Sequence, residues 1–407
     1  VADLYDGGAG EQALTGVTVL ELGESIAAPF CSKLLACYGA MVLKIEPPGR
    51  GDPSRAVGPF AASGPNRERG VLHLYLDTGK QSVTLDLDQA AGQQLARRLA
   101  AQADILVENL PPGELANRGL GYETLRAENS RLVFVSLSAF GQSGPRARWQ
   151  ATDLTSYASG GQMHLTGDPD REPLRPGGEQ AGYQLGLNGF SAALVGLWDA
   201  LETGEGQWID ISAQEAMAST LEIALNSYAY TGRDIWATRR GNINSAVLGL
   251  YPCADGYLGV HAMPRNVPPL FNVMDMPELV DDPRFNSGAA RLANDDDLTA
   301  LIYAWAADKP KREVYERAGS MRGPIAFVHN MADLLESPQL AARGFLRELD
   351  HPAAGRLTYP GPPFAMSASP GRIERAPLLG EHTASVLRER LGLSDEDLRV
   401  LSGQGAV

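Results

Sequence analysis

GVTVLELGESIAAPFCSKLLACYGAMVLKIE, residues 16–46, decides the architecture. Two short runs rich in β-branched and other apolar residues, GVTVLEL and AMVLKIE, flank APFCSKLLACYG, whose apolar residues recur at helical intervals. Strand, helix and strand in so short a stretch form a βαβ unit. Such a crossover joins parallel strands, so a parallel sheet begins here. The alternation continues in VTLDLDQAAGQQLARRLAAQADILVEN, where a helix ending in Arg97 and Arg98 suits the negative end of its dipole. LVFVSLSAF is a further strand, running into a loop at GQSGPR.

A chain of 407 residues with 44% apolar composition can fill more than one core, so two domains are expected. A net charge of -14 argues against nucleic acid as a partner, because phosphate binding needs a Lys/Arg excess. An anionic small molecule could still find a local basic pocket. No apolar run is long enough to span a bilayer, and the acidic, Gly-rich start VADLYDGGAGEQ does not resemble a secretory signal; a cytoplasmic location and no membrane contact are expected. Cys31, Cys37 and Cys253 are odd in number and show no metal or redox spacing, which fits buried thiols in a reducing compartment.

The long Gly-rich stretch GDPSRAVGPFAASGP reads as a functional loop or a solvated insertion. Near residue 220 the text becomes helix-rich (SAQEAMASTLEIALNSYAYTG). A hairpin with a DG turn at Asp255 and Gly256 follows, and then helical spacing of Leu292, Leu298, Leu301, Ile302 and Trp305 over 291–318. Residues 225–334 are therefore expected to form a smaller domain. No GxGxxG follows the first strand, which weighs against NAD. His73, His164, His261, His329, His351 and His382 form no metal spacing, so no metal is expected.

Several segments together resemble the class III CoA-transferase family, which includes formyl-CoA and carnitine-type CoA-transferases and the α-methylacyl-CoA racemases. LTGVTVLELGESIAAPFCSKLLACYGAMVLKIEPPGRGDPSR, GKQSVTLDL, ADILVENLPPGELANRGLGYETL and VFVSLSAFGQSGP carry the likeness in the first half. TGEGQWIDIS, the DG hairpin, SPQLAARGF and APLLGEHTASVL complete it. The resemblance implies an α/β fold with a Rossmann-like large domain built from both chain ends, residues 1–224 and 335–407, plus the smaller α+β domain. It also implies a ring-shaped monomer in an interlocked dimer, either a homodimer or a heteromer with a homologue. The substrates it implies are an acyl-CoA and a carboxylic acid acceptor.

Carried over position by position, the resemblance places Lys80, Asn109, Leu110, Arg118 and Phe140 at the coenzyme A site. Lysine and asparagine at these points could equally be a surface lysine and a turn residue. Two departures stand out: Pro47 and Pro48 replace arginine found in some relatives, and Arg118 falls one position late, with Asn117 in its place.

Family transferases use an aspartate that attacks the thioester, forming a mixed anhydride and then an enzyme-bound CoA thioester; an ionised carboxylate suits that role. Counting back from TGEGQ and forward from EPLRPGG, that position is Gly182, and EQAGYQLGLNG offers no carboxylate after Glu179. The racemase motif fails as well, because Thr152 stands where a histidine precedes Asp153. Asp153 and Glu24 are the remaining candidates for acid/base work; Asp153 also suits a helix cap, and Glu24 a solvated loop. Ile26 replaces a polar residue of the transferases. Transfer of CoA between acids, aided by an Asp-bearing partner or a substitute group, is the leading expectation. The alternatives are an isomerase, racemase or lyase acting by α-proton abstraction, and a non-catalytic CoA-binding subunit.

Overall fold

The computed structural model describes residues 11–61, 64–168, 170–221, 223–234 and 247–407. They divide into two compact units. One holds the described residues up to Gln162, with Arg175–Leu221 and Pro338–Val407; the other holds Met163–Leu174 and the described residues between Leu221 and Pro338.

The first unit is built on a six-stranded parallel sheet. In chain order it contains β1 (Thr18–Glu21), α1 (Ala27–Cys37), β2 (Met41–Glu46), α2 (Val71–Leu76), β3 (Gln81–Thr84), α3 (Ala90–Ala100) and β4 (Ile105–Glu108). There follow α4 (Glu114–Asn117), α5 (Tyr122–Arg126), β5 (Val133–Ser138), α6 (Asp153–Ser159), α7 (Gln180–Thr203), β6 (Trp208–Ser212) and α8 (Ala213–Ala218). The strand order is β3-β2-β1-β4-β5-β6. The chain thus reverses direction across the sheet between β1 and β4, and the crevice beyond the carboxyl ends of those strands is where open α/β sheets bind ligands.

Strand alternation sends Val19, Val42, Ile105, Val107, Val135 and Leu137 to one face, against Leu34 and Leu35 of α1 and Leu185, Phe190 and Leu197 of α7. The opposite face, with Leu20, Leu43, Val83, Leu106 and Phe134, packs on Leu95 and Leu99 of α3 and on Val386, Leu387 and Leu391 from the end of the chain. Both chain ends therefore build one core. Helix α7 lies close on α1 because it is glycine-studded: a Cβ at Gly186 would stand 2.6 Å from the Ala27 carbonyl oxygen. Without that glycine the helix could not approach.

After Leu221 the second unit resumes with α9 (Ala224–Thr231) and contains a hairpin, β7 (Val247–Cys253) and β8 (Gly256–Ala262). The DG pair makes its turn. Helices α10 (Val267–Val273), α11 (Gly288–Ala293), α12 (Asp295–Ala306) and α13 (Lys311–Met321) follow, then β9 (Ile325–Phe327), which pairs with β8. Phe271, Phe285, Ile302 and Trp305 fill its core. Among the described residues no helix is long and apolar enough to cross a membrane.

Candidate active site

The crevice beyond β1 and β4 carries two clefts, both within the first unit. The loop between β1 and α1 borders each of them, and it is held in an unusual shape. Ser25 has φ of +65°, a left-handed conformation that a non-glycine residue adopts only when its surroundings enforce it.

Two clamps do so. Asn109, directly after β4, accepts the Glu24 N–H on Oδ1 and donates from Nδ2 to the Glu24 carbonyl, each at 2.8 Å. Asp52 accepts the Ser25 N–H at 3.2 Å. A side chain at position 23 would collide with the first clamp, since a Cβ there would sit 2.7 Å from Asn109 Oδ1.

Asp52 is itself fixed by a buried charge cluster. Lys44 Nζ lies 2.8 Å from Asp52, 2.6 Å from Glu21 and 3.6 Å from Asp77. Lys80 pairs with Glu21 at 2.8 Å and Asp77 at 2.9 Å, and Arg55 binds Glu46 at 2.7 Å. Burial alone would raise the Asp77 pKa, but the Lys44 and Lys80 ammonium groups and His73 hold it well below the usual range. Lys80 was expected at the nucleotide. It is instead fully buried, donates to the Pro29 carbonyl at 2.8 Å and lines neither cleft; glycine and glutamine beside it gave no sign of that burial.

The first cleft, of roughly 330 Å³, lies beyond β1, β2 and β3 and is lined by Glu24, Arg50, Leu110 and Arg118 among others. Leu110 and Arg118 thus line the same cleft. Arg118 is already paired with Asp88 at 2.8 Å and Glu114 at 3.0 Å, so an incoming phosphate would compete with carboxylates for it. Arg50 is a cation the sequence reading missed; its place in PPGRG, just past a strand's carboxyl end, was the available signal. Glu24 is exposed here and does not line the second cleft. Phe140 lines neither, packing edge-on to Trp149 with ring centroids 6.4 Å apart.

The second cleft, of roughly 230 Å³, is lined by Ile26, Asn109, Ser138, Asp153, Glu179 and Gly182, with apolar wall from Ala27, Leu137, Leu185 and Ala213. Gly182 is in the first turn of α7. A Cβ there would meet Ile26 Cγ2 at 3.1 Å, a tight contact that would require the isoleucine to shift slightly.

Asp153 opens α6 without capping it. Thr152 does that, its hydroxyl accepting the Thr155 N–H at 3.4 Å, and Asp153 reaches across the cleft to α7 instead. Its Oδ1 accepts the N–H of Ala181 at 2.7 Å and of Gly182 at 3.3 Å, satisfying two donors that a helix start leaves open. Its Oδ2 has no hydrogen-bond partner and lies 3.6 Å from Arg175. Glu179 is exposed at the head of α7, the second carboxylate lining this cleft.

The sequence pattern of CoA-transferase family III matches residues 14–383. The chain belongs to that family. It is 34% identical over 401 residues to succinyl-CoA--D-citramalate CoA-transferase of Chloroflexus aurantiacus, covering 97% of this chain and 98% of that one. It is also 34% identical over 375 residues to subunit BbsE of succinyl-CoA:(R)-benzylsuccinate CoA-transferase of Thauera aromatica, covering 89% and 90%. Among solved structures, a CAIB/BAIF family protein from Brucella suis aligns with a TM-score of 0.84 at 30% identity, over 93% of this chain and 100% of that one. Family membership makes acyl-CoA the substrate class of this chain. Among the described residues no group of His, Cys, Asp and Glu could hold a metal ion.

Proposed function

We propose that this chain is the acyl-CoA-holding subunit of a class III CoA-transferase and that a homologous second chain supplies the attacking carboxylate. The observation that carries this reading is the contact between position 182 and Ile26. Glycine offers no attacking group on the first turn of α7, and a Cβ built there would stand 3.1 Å from Ile26 Cγ2, so a side chain would fit only if the isoleucine gave way by a few tenths of an ångström. Asp153 does not supply the attacking group, because one of its oxygens is engaged with the α7 N–H groups. Two features support a role in the same reaction: the crevice stands at the strand-order reversal, and the loop at Gly23–Ile26 is held by two independent clamps. The Thauera relative is named as a subunit, which agrees with a transferase made of more than one chain.

In this reading the nucleotide end of CoA lies along the first cleft, near Leu110, Arg50 and Arg118, and the thioester enters the second. The partner's carboxylate attacks the thioester carbon, forming a mixed anhydride and releasing CoA thiolate. The thiolate attacks the partner's own carbonyl carbon, releasing the donor acid and leaving a CoA thioester on the partner. The acceptor carboxylate attacks that thioester, giving a second anhydride and free thiolate, which attacks the acceptor's carbonyl to form the new acyl-CoA and release the partner's carboxylate. Buried free thiols at Cys31 and Cys37 and an acyl-CoA substrate fit a cytoplasmic enzyme. Proton abstraction by Glu24 together with Asp153 has less support, since the two side chains line different clefts.

Calorimetry with an acyl-CoA and intact-mass analysis of the mixture test the proposal together. Binding with no covalent acyl or CoA adduct on this chain, and an adduct on a co-purifying homologue, is the expected result. An adduct on this chain would return the nucleophile to it, at Glu179 or Asp153. Absence of any CoA affinity would remove the proposal altogether.

A further inference from the structure

We infer that Asp153 and Arg175 select an acid that bears a hydroxyl group next to a carboxylate. The inference rests on the acyl-transfer reading of the second cleft and names the class of acid it admits. Asp153 is split in function: Oδ1 is held by the N–H groups of Ala181 and Gly182, while Oδ2 has no donor although the side chain is 95% buried. A buried carboxylate oxygen left without a hydrogen bond is unfavourable, and in this place it is an acceptor awaiting a donor.

Arg175 does not supply one. Its Nη1 stands 3.6 Å from Oδ2, too far for a hydrogen bond, and donates to the Gly178 carbonyl at 2.8 Å. With 40% of its side chain exposed at the edge of the site, the guanidinium can turn to a ligand carboxylate, for which its planar donors are suited. An arginine for a carboxylate beside an aspartate oxygen for a hydroxyl proton is a complementary pair for a hydroxy acid.

The rest of the cleft agrees in size and polarity. Ile26, Ala27, Leu137, Leu185 and Ala213 form apolar walls around roughly 230 Å³, room for a small acid. Ser138 lines it too, with a hydroxyl oxygen that is buried and unpartnered. A water bound at Oδ2 would also satisfy it, but would serve all acids alike.

The test titrates 2-hydroxyglutarate, glutarate and 2-oxoglutarate into the CoA-saturated protein by calorimetry. The hydroxy acid should bind at least about tenfold more tightly than the other two, because a site built to pair a hydroxyl rejects analogues without it. Asp153→Asn keeps an acceptor oxygen for α7 and puts an amide donor at the other position. In that variant the oxo acid should gain on the hydroxy acid, whereas a purely structural loss would weaken all three in proportion. Arg175→Gln should weaken all three while preserving their order. Equal affinities in the wild type, or a proportional loss in Asp153→Asn, overturn the inference; the wild-type comparison decides it if that variant does not fold. Failure to bind CoA itself would break the transferase reading instead, so the two are separable.

Discussion

The loop at Gly23–Ile26 is shared by two regions of opposite character. Behind it, Glu21, Lys44, Asp52, Asp77, Lys80 and His73 are buried and paired. In front of it, Asp153 and Glu179 are the only carboxylates among the described residues lining the second cleft, with Ile26 close to position 182. Most of the ionic chemistry therefore fixes the loop's shape, and little of it faces the second cleft. Burying paired charges is close to neutral for stability, yet removing one partner strands the others, so such a cluster enforces geometry more than it adds strength. A cleft with so few ionic groups is what the proposed division of work, with the nucleophile on a second chain, would call for.

Breaking the cluster should have the largest effect. Lys44→Met leaves Glu21 and Asp52 facing each other without their shared ammonium, and should destabilise the protein by about 3–5 kcal/mol in chemical denaturation. A loss below about 1 kcal/mol would show that the cluster is not what holds this region together.

Glu108 sharpens the comparison, because it is a buried carboxylate at the end of β4 with no cation beside it. Burial raises its pKa to about 7, against hydrogen bonds from the Ser136 hydroxyl and the Leu110 N–H, with the nearby Asp210 charge adding to the rise. Below pH 4.5 the group is protonated in both folded and unfolded chains and has no effect. As pH rises from there to about 7 the unfolded chain ionises first, so stability falls across that window and the loss is complete above it. Glu108→Gln should remove this dependence, making the variant more stable than the wild type at pH 8, by on the order of 2–3 kcal/mol, and similar to it at pH 4. Parallel stability curves for the two proteins would contradict the assignment.

On the cleft side, Gly182→Asp introduces a side chain against Ile26 and should cost about 1–3 kcal/mol by overpacking. Ile26→Ala in the same chain should recover part of it, a coupling that a double-mutant cycle in melting experiments would read. Strict additivity would mean that position 182 and Ile26 do not share one space.

The alternating strands and helices were legible because they depend on local periodicity: GVTVLEL, AMVLKIE and VFVSLS became β1, β2 and β5. The Asn109 and Leu110 loop was legible as a motif. What could not be read is pairing at a distance. Lys44 sits in a strand whose other residues, Glu46 apart, are apolar, and only folding brings Asp52, Asp77 and Glu21 to it. Lys80 illustrates the same limit, since a lysine in GKQS looks identical whether it meets phosphate or a buried glutamate. Met163–Leu174 belongs to the second unit although both neighbouring stretches belong to the first, and no change of composition marks it.

Asp153 combines both lessons and gives the smallest expected effect. TDLTSY announces a cap correctly but not its target: Thr152 takes α6, and Asp153 caps a helix whose first turn begins 27 residues later. Asp153→Ala should lower stability by about 1 kcal/mol through loss of the α7 cap. Asp153→Asn, which retains an acceptor for Ala181, should restore most of it. Amide exchange at Ala181 and Gly182 is the sensitive readout, because fraying of α7 begins there. Faster exchange in the alanine variant confined to this first turn would show a local cap. Unchanged exchange would mean that α7 is held by its packing on α1, and that the carboxylate owes its position to the cleft alone.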